Sequence, residues 1–290
     1  MKRTRKAATI ALIAFLISPR ALAQSLLTLR IIYDKTEFLK AENVPLGLEL
    51  TNTGTSELRV APLWWFTGGL EVKLFDARGE ELEYTGPVWS VSQSEPINLK
   101  PGESILRIMN VLEMFGLYIS MASEHKYLEK GEYTLQVKYK SGLGDNLSSE
   151  ETFTVVEPKD EEAGAYELFM HTLREAGGGR SIRSPQQFVA QLSELETRYP
   201  NSIYVPIALP ILSAWYQISL KDQQKANELC VRLVEKYPSF VLVKSGIFDS
   251  VLKRITDPIQ RRSYVLQLQA RVKGPLAERL YKERLLKLEQ

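Results

Sequence analysis

The spacing of the apolar residues changes once along this chain, near Pro158, and that change limits what the chain can fold into. Before Pro158, apolar residues occupy alternate positions in short runs, which buries one face of a β-strand. After Pro158, they recur every three or four positions, which is typical of amphipathic helices. We therefore predict a β domain followed by an all-α domain. The alternating runs are Leu27 to Ile31, Leu46 to Leu50, Leu70 to Leu74, Tyr133 to Tyr139 and Phe153 to Val155.

Turn-forming residues separate these runs. Each of four connections contains Gly, Asn or Pro, where a turn needs a positive or a preset φ. Short strands with such connections favour an antiparallel β-sandwich, which we place at residues 24–157. The connections are Thr51 to Gly54, Asp76 to Gly79, Lys100 to Glu103 and Lys130 to Glu132.

Residues 1–23 have the pattern of a secretory signal peptide. A basic start precedes an apolar run from Ala7 to Ile17, and Ala21-Leu22-Ala23 offers a cleavage site before Gln24. The apolar run is shorter than the roughly 20 residues that span a bilayer core, so an uncleaved anchor is the less favoured alternative. Gln24, and not the cysteine of a lipoprotein, stands directly after the cleavage site. Thr4 separates Arg3 from Arg5, which argues against the twin-arginine route. We therefore predict export by the general secretory route to the periplasm or the outside, without a lipid anchor.

Removing this leader changes the charge balance. The whole chain has 37 basic and 35 acidic residues, and the leader holds five of the basic ones and none of the acidic ones, which leaves 32 against 35. The remaining chain therefore lacks the basic excess of a nucleic-acid-binding protein. Its one cysteine, Cys230, rules out an internal disulfide. Because Cys230 lies on the apolar face of a predicted helix, we expect a buried thiol.

Three motifs of the predicted β domain resemble bacterial extracytoplasmic immunoglobulin-like domains. They are the Asn-x-Gly after the second strand (Asn52 to Gly54), Leu-x-Pro-Gly-Glu (Leu99 to Glu103) and Gly-x-Tyr (Gly131 to Tyr133). The resemblance implies an immunoglobulin-like β-sandwich in which the Tyr133 hydroxyl bonds to nearby backbone. It implies no active site, since this fold serves adhesion, inhibition and spacing alike.

Residues 158–162 form a short predicted junction, and residues 163–290 have the signals of a helical array. Helix starts are predicted at Ser184-Pro185, Asp222, Asp257-Pro258 and Pro275, where a capping side chain or a first-turn proline stands. An internal repeat is also present. Gln186, Leu192, Leu195, Tyr199 and Pro200 recur 38 positions later as Gln224, Cys230, Leu233, Tyr237 and Pro238. A repeat of this length corresponds to one helical hairpin.

The second copy of this repeat, with Ala226, Cys230, Leu233, Tyr237 and Pro238, resembles the divergent tetratricopeptide repeats of bacterial periplasmic and outer-membrane assembly proteins. The resemblance implies stacked hairpins and a concave groove that holds a peptide or an extended partner segment. Pro206 and Pro210 depart from the family pattern. Residues 276–288 are interpreted as a capping helix, with a dimer contact as the alternative.

Candidate binding residues are the aromatics Trp64, Trp65 and Phe66, with Trp89. Consecutive side chains of a strand face opposite ways, so the three successive rings cannot all enter one core. They could form a patch for a partner or a sugar, because tryptophan is frequent at binding hot spots. The alternative is that the surplus ring packs against the helical domain.

The sequence contains no recognisable catalytic or metal-binding motif. Its two histidines, His125 and His171, have no partner at metal-ligand spacing. Gly177 to Gly179 follow a predicted helix and lack the Lys-Ser/Thr ending of a phosphate loop. We therefore expect no catalytic residue, no cofactor and no metal, and we do not expect an enzyme.

Three hypotheses for function follow. The first is an exported, non-catalytic scaffold that binds a protein or peptide through a tetratricopeptide-like groove and the sandwich. The second is an inhibitor or carbohydrate-binding module that uses the aromatic patch, and the third is a hydrolase whose carboxylates no motif reveals. The expected partner is a protein or peptide, with no nucleic acid and no membrane span once the leader is removed.

Overall fold

The computed structural model describes residues 26–63, 69–84, 95–115, 127–142, 146–177, 184–242 and 245–288. A β-sheet region comes first and a helical region follows, as the change in apolar spacing predicts. We call residues 26–156 the β region and residues 160–288 the helical region. The predicted signal peptide lies outside the described residues, and so do Trp64, Trp65, Phe66, Trp89 and His125.

In the part of the β region that the structure describes, the strands form three sheets. Strands β1, β3 and β7 form one sheet in that order, strands β2, β9, β8 and β5 form a second, and β4 pairs with β6. Pairing is antiparallel except between β2 and β9, which run parallel. The strands are β1 (Leu27–Ile32), β2 (Glu37–Leu39), β3 (Pro45–Asn52), β4 (Leu58–Val60), β5 (Leu70–Asp76), β6 (Ile97–Leu99), β7 (Ser104–Asn110), β8 (Gly131–Lys140) and β9 (Asn146–Val156).

The parallel pair arises because the N-terminal segment changes sheets. Its first half, β1, pairs with β3, and after a turn its second half, β2, pairs with β9 of the other sheet. The prediction of an antiparallel arrangement is therefore wrong at one edge of the second sheet, where β2 runs parallel to β9. Period-two spacing identifies a strand, but it carries no information about the partner.

Both larger sheets contribute to one hydrophobic core, and the predicted alternation is confirmed there. Leu46, Leu48 and Leu50 of β3 are fully buried, and they join Leu135 and Val137 of β8 in the same cluster. The Tyr133 hydroxyl donates a hydrogen bond to the backbone carbonyl of Glu129 at 2.8 Å, as expected. A short helix, α1 (Val111–Phe115), follows β7.

Among the described residues, seven longer helices follow Val156. They are α2 (Asp160–Gly177), α3 (Pro185–Arg198), α4 (Tyr204–Ile218), α5 (Gln223–Lys236), α6 (Ser245–Leu252), α7 (Pro258–Gln269) and α8 (Pro275–Leu288). The predicted caps are present, since Ser184, Asp222 and Asp257 each accept a backbone N–H from the first turn of α3, α5 and α7. A 3-10 segment, Pro238–Leu242, links α5 to the last three helices.

The 38-residue repeat corresponds to the matching helices α3 and α5. Each has 14 residues and ends at a tyrosine whose backbone N–H bonds to a leucine carbonyl four residues earlier. The hydroxyl of Tyr237 in the second copy contacts the backbone oxygen of Pro200 in the first, at 3.3 Å. Pro210 lies inside α4, so the helix tolerates the proline that departs from the family pattern.

Cys230 is only partly buried, which corrects the expectation of a buried thiol. It lies on α5 with its sulfur 3.2 Å from the Ser213 hydroxyl of α4.

Three residues separate the last strand, which ends at Val156, from α2, which begins at Asp160. Among the described residues, no helix is both long and apolar enough to cross a bilayer.

Candidate functional site: a groove where the two regions meet

Helices α6, α7 and α8 of the helical region pack against the outer face of the sheet formed by β1, β3 and β7. Strand β3 alternates, so Leu46 and Leu48 point into the β core while Gly47 and Glu49 point the other way. Gly47 lies opposite Ile32 of β1 and Ile108 of β7, and both isoleucines pack against the cluster of α6, α7 and α8. Strands β1, β3 and β7 therefore have apolar residues on both faces, which links the two regions.

Helix α8 is held on this face by polar contacts as well. The Asp34 carboxylate accepts the backbone N–H of Leu276 at 2.7 Å and that of Ala277 at 3.2 Å, which caps the helix from the β region. Arg279 forms an ion pair with Glu49 at 2.9 Å. Burial raises the pKa of Asp34, and the two backbone N–H groups oppose that rise.

A second contact joins the start of α4 to the turn after β2. Tyr204 is fully buried, and its hydroxyl donates to the backbone carbonyl of Lys40 at 2.7 Å. The neighbouring Ala41 is buried in the cluster formed by α2, α3 and α4. Burial raises the pKa of the Tyr204 phenol, which favours the protonated form that donates this hydrogen bond.

Between these two contacts lies a cavity of about 600 Å³, which we call the junction cavity. The β region lines it from Asp34 to Pro45, and the helical region lines it from Asn201 to Ile207 and from Lys236 to Phe240. Arg271 and Lys273, on the turn between α7 and α8, complete the lining. The volume falls within the roughly 300–1,000 Å³ that small-ligand sites occupy.

The acidic groups around the junction cavity are occupied by donors of the protein itself. Asp34 caps α8. Glu42 forms an ion pair with Lys35 at 2.6 Å and accepts the backbone N–H of Leu39. Burial raises the pKa of Glu42, and the charge of Lys35 lowers it. Glu162 accepts the Ser202 hydroxyl at 2.7 Å and the backbone N–H of the next residue.

A larger, more open cavity of about 1010 Å³ lies along α5, and we call it the helical cavity. Lys236 and Arg271 line both cavities, so the two meet at these side chains. We call the pair of cavities the groove. The helical cavity also contains Arg232 and Arg254, together with the acidic Glu228 and Glu235.

The resemblance to tetratricopeptide repeats implied a concave groove within the helical array, but neither the position of this groove between the two regions nor its lining was predicted from the sequence. Lys236, Arg271 and Lys273 follow or end helices, where cations are favoured for the helix dipole alone, so their spacing carries no sign of a shared cavity. The aromatic residues proposed instead, Trp64, Trp65, Phe66 and Trp89, lie outside the described residues.

The described residues contain no group of His, Cys, Asp and Glu side chains arranged to hold a metal ion. His171 is two-thirds exposed on α2 and lies 3.4 Å from Glu175, one helical turn away. Cys230 contacts only a serine among the polar partners that the described residues provide. Neither His171 nor Cys230 therefore has a base and an orienting group arranged around it among the described residues.

Comparison with known proteins adds little. No protein-family model matches the chain, and no curated protein is significantly similar to it. The sporulation control protein Spo0M of Bacillus subtilis has a TM-score of 0.28 and 12% sequence identity, covering 52% of this chain and 55% of that one. The CARDB domain of the PF1109 protein of Pyrococcus furiosus has a TM-score of 0.24 and 11% identity, covering 46% and 94%.

A third similar structure is the alkylpurine DNA glycosylase AlkC of Pseudomonas fluorescens. Its TM-score is 0.27 at 12% identity, covering 46% of this chain and 31% of that one. This chain thus spans about half the length of Spo0M and about a third of the glycosylase. Scores this low carry no argument about what this chain binds or does.

Proposed function

We propose that this chain is an exported, non-catalytic binding protein that holds an extended segment of a partner protein in the groove. The observation that carries the proposal is that Lys236 and Arg271 line both cavities, so one groove runs from the junction of the two regions along α5. Binding sites favour such junctions, where two packed bodies leave a concave surface. An elongated groove suits a chain segment better than a compact metabolite.

We further infer the finer fold assignment, an immunoglobulin-like β-sandwich followed by tetratricopeptide-like hairpins. Support for the first comes from the core that the two larger sheets share and from the hydrogen bond of Tyr133 to Glu129. Support for the second comes from the equal lengths and matching ends of α3 and α5. Repeats of this kind present concave surfaces to extended partners.

A rigid groove favours binding because little order has to be created when the ligand arrives. Capping of α8 by Asp34 and the hydrogen bond from Tyr204 to Lys40 fix the two walls relative to each other.

Export removes the first 23 residues in this proposal. Intact-mass measurement of the secreted chain should give a protein that begins at Gln24.

The test is selection of a displayed library of linear dodecapeptides on the chain lacking residues 1–23. Selected peptides are then measured by fluorescence anisotropy against two variants that obstruct the groove without changing charge. Ser239→Trp obstructs the junction cavity and Gln224→Trp obstructs the helical cavity, and both residues are exposed lining residues. Ser148→Trp, on an exposed position of β9, is the matched control.

We expect the two groove variants to weaken binding at least about tenfold and the control to leave it unchanged. Peptides that bind all three variants equally would refute the groove as the binding site. If Trp65→Ala instead abolished their binding, the aromatic patch of the second hypothesis would be the site. Failure of the library to yield any binder would also contradict the proposal.

A further inference from the structure

We propose that the junction cavity selects acidic segments, so that a glutamate or aspartate side chain of the partner lies against Arg271 and Lys273 with an apolar neighbour beside it. This inference rests on the proposed function and narrows it to one class of peptide. The acidic groups around this cavity already accept hydrogen bonds or ion pairs from the protein itself. Two cations of the lining, Arg271 and Lys273, form no ion pair among the described residues.

The acidic groups that line the junction cavity are hydrogen-bonded by other groups of the protein. Asp34 and Glu42 accept backbone N–H groups, and Glu42 is also paired with Lys35. Glu162, just behind the lining, is occupied by Ser202 and the start of α4. These carboxylates therefore act as parts of the wall and offer little to a basic ligand.

The cations of the α7–α8 turn differ from these carboxylates, because they are not bound in ion pairs within the described part of the protein. Arg271 and Lys273 are both exposed, and neither forms an ion pair with any residue that the structure describes. Lys236, at the meeting point of the cavities, lies 3.5 Å from Glu196 and stays nearly half exposed. Two unpaired cations on one short turn form a place where a carboxylate can bind with charge-assisted hydrogen bonds.

Besides polar lining residues such as Asn43 and Ser202, the junction cavity has an apolar part. Phe38 and Ile207 are almost completely buried, and Phe240 is half-buried in the 3-10 segment after α5. An acidic side chain alone would leave this surface in contact with water. A segment that alternates acidic and apolar residues would contact the cations and the apolar floor together.

Arg271 lines the helical cavity as well, but the other cations there are already bound by groups of the protein. Its cation Arg232 is paired with Glu196 at 2.7 Å, and Arg254 bonds to the Asn227 side chain. Its acidic residues Glu228 and Glu235 are exposed, and Glu228 is paired with Lys225. Selection for acidic residues is therefore expected at the end of the groove that the α7–α8 turn lines.

The probe is a blocked heptapeptide, acetyl-Gly-Glu-Leu-Glu-Phe-Glu-Gly-amide, compared with its counterpart that has glutamine in place of each glutamate. Affinities are measured by isothermal titration at low ionic strength, where surface charges are least screened. We expect the acidic peptide to bind about tenfold or more tightly than the glutamine peptide. That preference should disappear in the double variant Arg271→Glu/Lys273→Glu and should shrink as salt is added.

The matched control is Arg59→Glu/Lys138→Glu, which makes the same change of charge on exposed strand positions that line neither cavity. It should keep the preference for the acidic peptide. Equal affinity for the two peptides, binding of neither, or a preference that survives the double variant overturns the inference. If library peptides without acidic residues still depend on Ser239 and Gln224, the proposed function stands and only the selection for acidic segments falls.

Discussion

Replacement of Gly47 by alanine tests how tightly the helical region is packed on the β region. Gly47 lies on β3, on the face opposite the β core. A Cβ atom at this position would lie 2.4 Å from the Leu276 Cδ1 atom of α8 and 3.0 Å from the Leu106 Cδ1 atom of β7. Leu276 is fully buried, so its side chain cannot move out of the way without disturbing α8.

The expected cost follows from two opposing effects. Overpacking a buried interface typically costs about 1–3 kcal/mol of unfolding free energy. Replacing glycine by alanine also reduces the entropy of the unfolded chain, which returns about 0.4–1 kcal/mol. We therefore expect Gly47→Ala to destabilise the protein by about 1–2 kcal/mol, or a fall in Tm of about 2–8 °C for a chain of this size.

The assay is urea unfolding followed by circular dichroism, with Gly131→Ala as the matched control. Gly131 opens β8 of the same region, and the nearest atom to an added Cβ is the Tyr133 Cε2 at 3.9 Å. The control therefore gains the entropic benefit without a clash and should be at least as stable as the parent protein.

A double-mutant cycle locates the clash. Leu276→Val removes the Cδ atoms that the new Cβ would meet, so Gly47→Ala should cost less in that background than in the parent protein. If Gly47→Ala proved as stable as Gly131→Ala, or if the cycle gave no coupling, helix α8 would not be packed on β3 as described.

Three further predictions concern polar contacts. Asp34→Ala should lower the unfolding free energy by about 0.5–2 kcal/mol because α8 loses its cap. Asp34→Asn keeps an acceptor for the N–H groups of α8 and removes a half-buried carboxyl group, so it should be at least as stable as the parent protein at pH 7. A loss of stability equal to that of Asp34→Ala would contradict this. Because the pKa of Asp34 is raised in the folded state, its contribution to stability is present below the ordinary aspartate value of about 3.9 and is lost as pH rises through the raised value. A pH series of urea midpoints should therefore be flatter for Asp34→Asn, and an unchanged profile would refute the assignment. Tyr204→Phe should cost about 0.5–1.5 kcal/mol through loss of the bond to the Lys40 carbonyl, and Asp222→Ala about 1 kcal/mol through loss of the α5 cap, both measured by thermal unfolding. A change in unfolding free energy below about 0.3 kcal/mol in either variant would show that the contact does not stabilise the folded protein.

Much of the local structure could be predicted from the sequence because it depends on neighbouring residues. Leu46, Leu48 and Leu50 alternate because one face of β3 is buried in the β core. Ser184 and Asp222 cap helices through bonds to residues three positions away. Such signals lie within a single turn of chain, so spacing reveals them.

The contacts between the regions could not be predicted in this way. Asp34 caps a helix that begins 241 positions later, and Gly47 is small because Leu276 lies against it. Nothing in the sequence near either residue identifies its partner. Residues 276–288, interpreted as a cap of the helical array, form α8, which also packs against the β region, and no sequence signal indicated that contact.

Hydrogen–deuterium exchange tests the location of the site most directly. The chain lacking residues 1–23 is compared free and saturated with a library-selected peptide. The groove predicts slower amide exchange in residues 201–207, 236–240 and 271–276, with no change in residues 146–150, the end of β9 that does not pair with β2. Protection confined to the β region, or absent from all three segments, would contradict it.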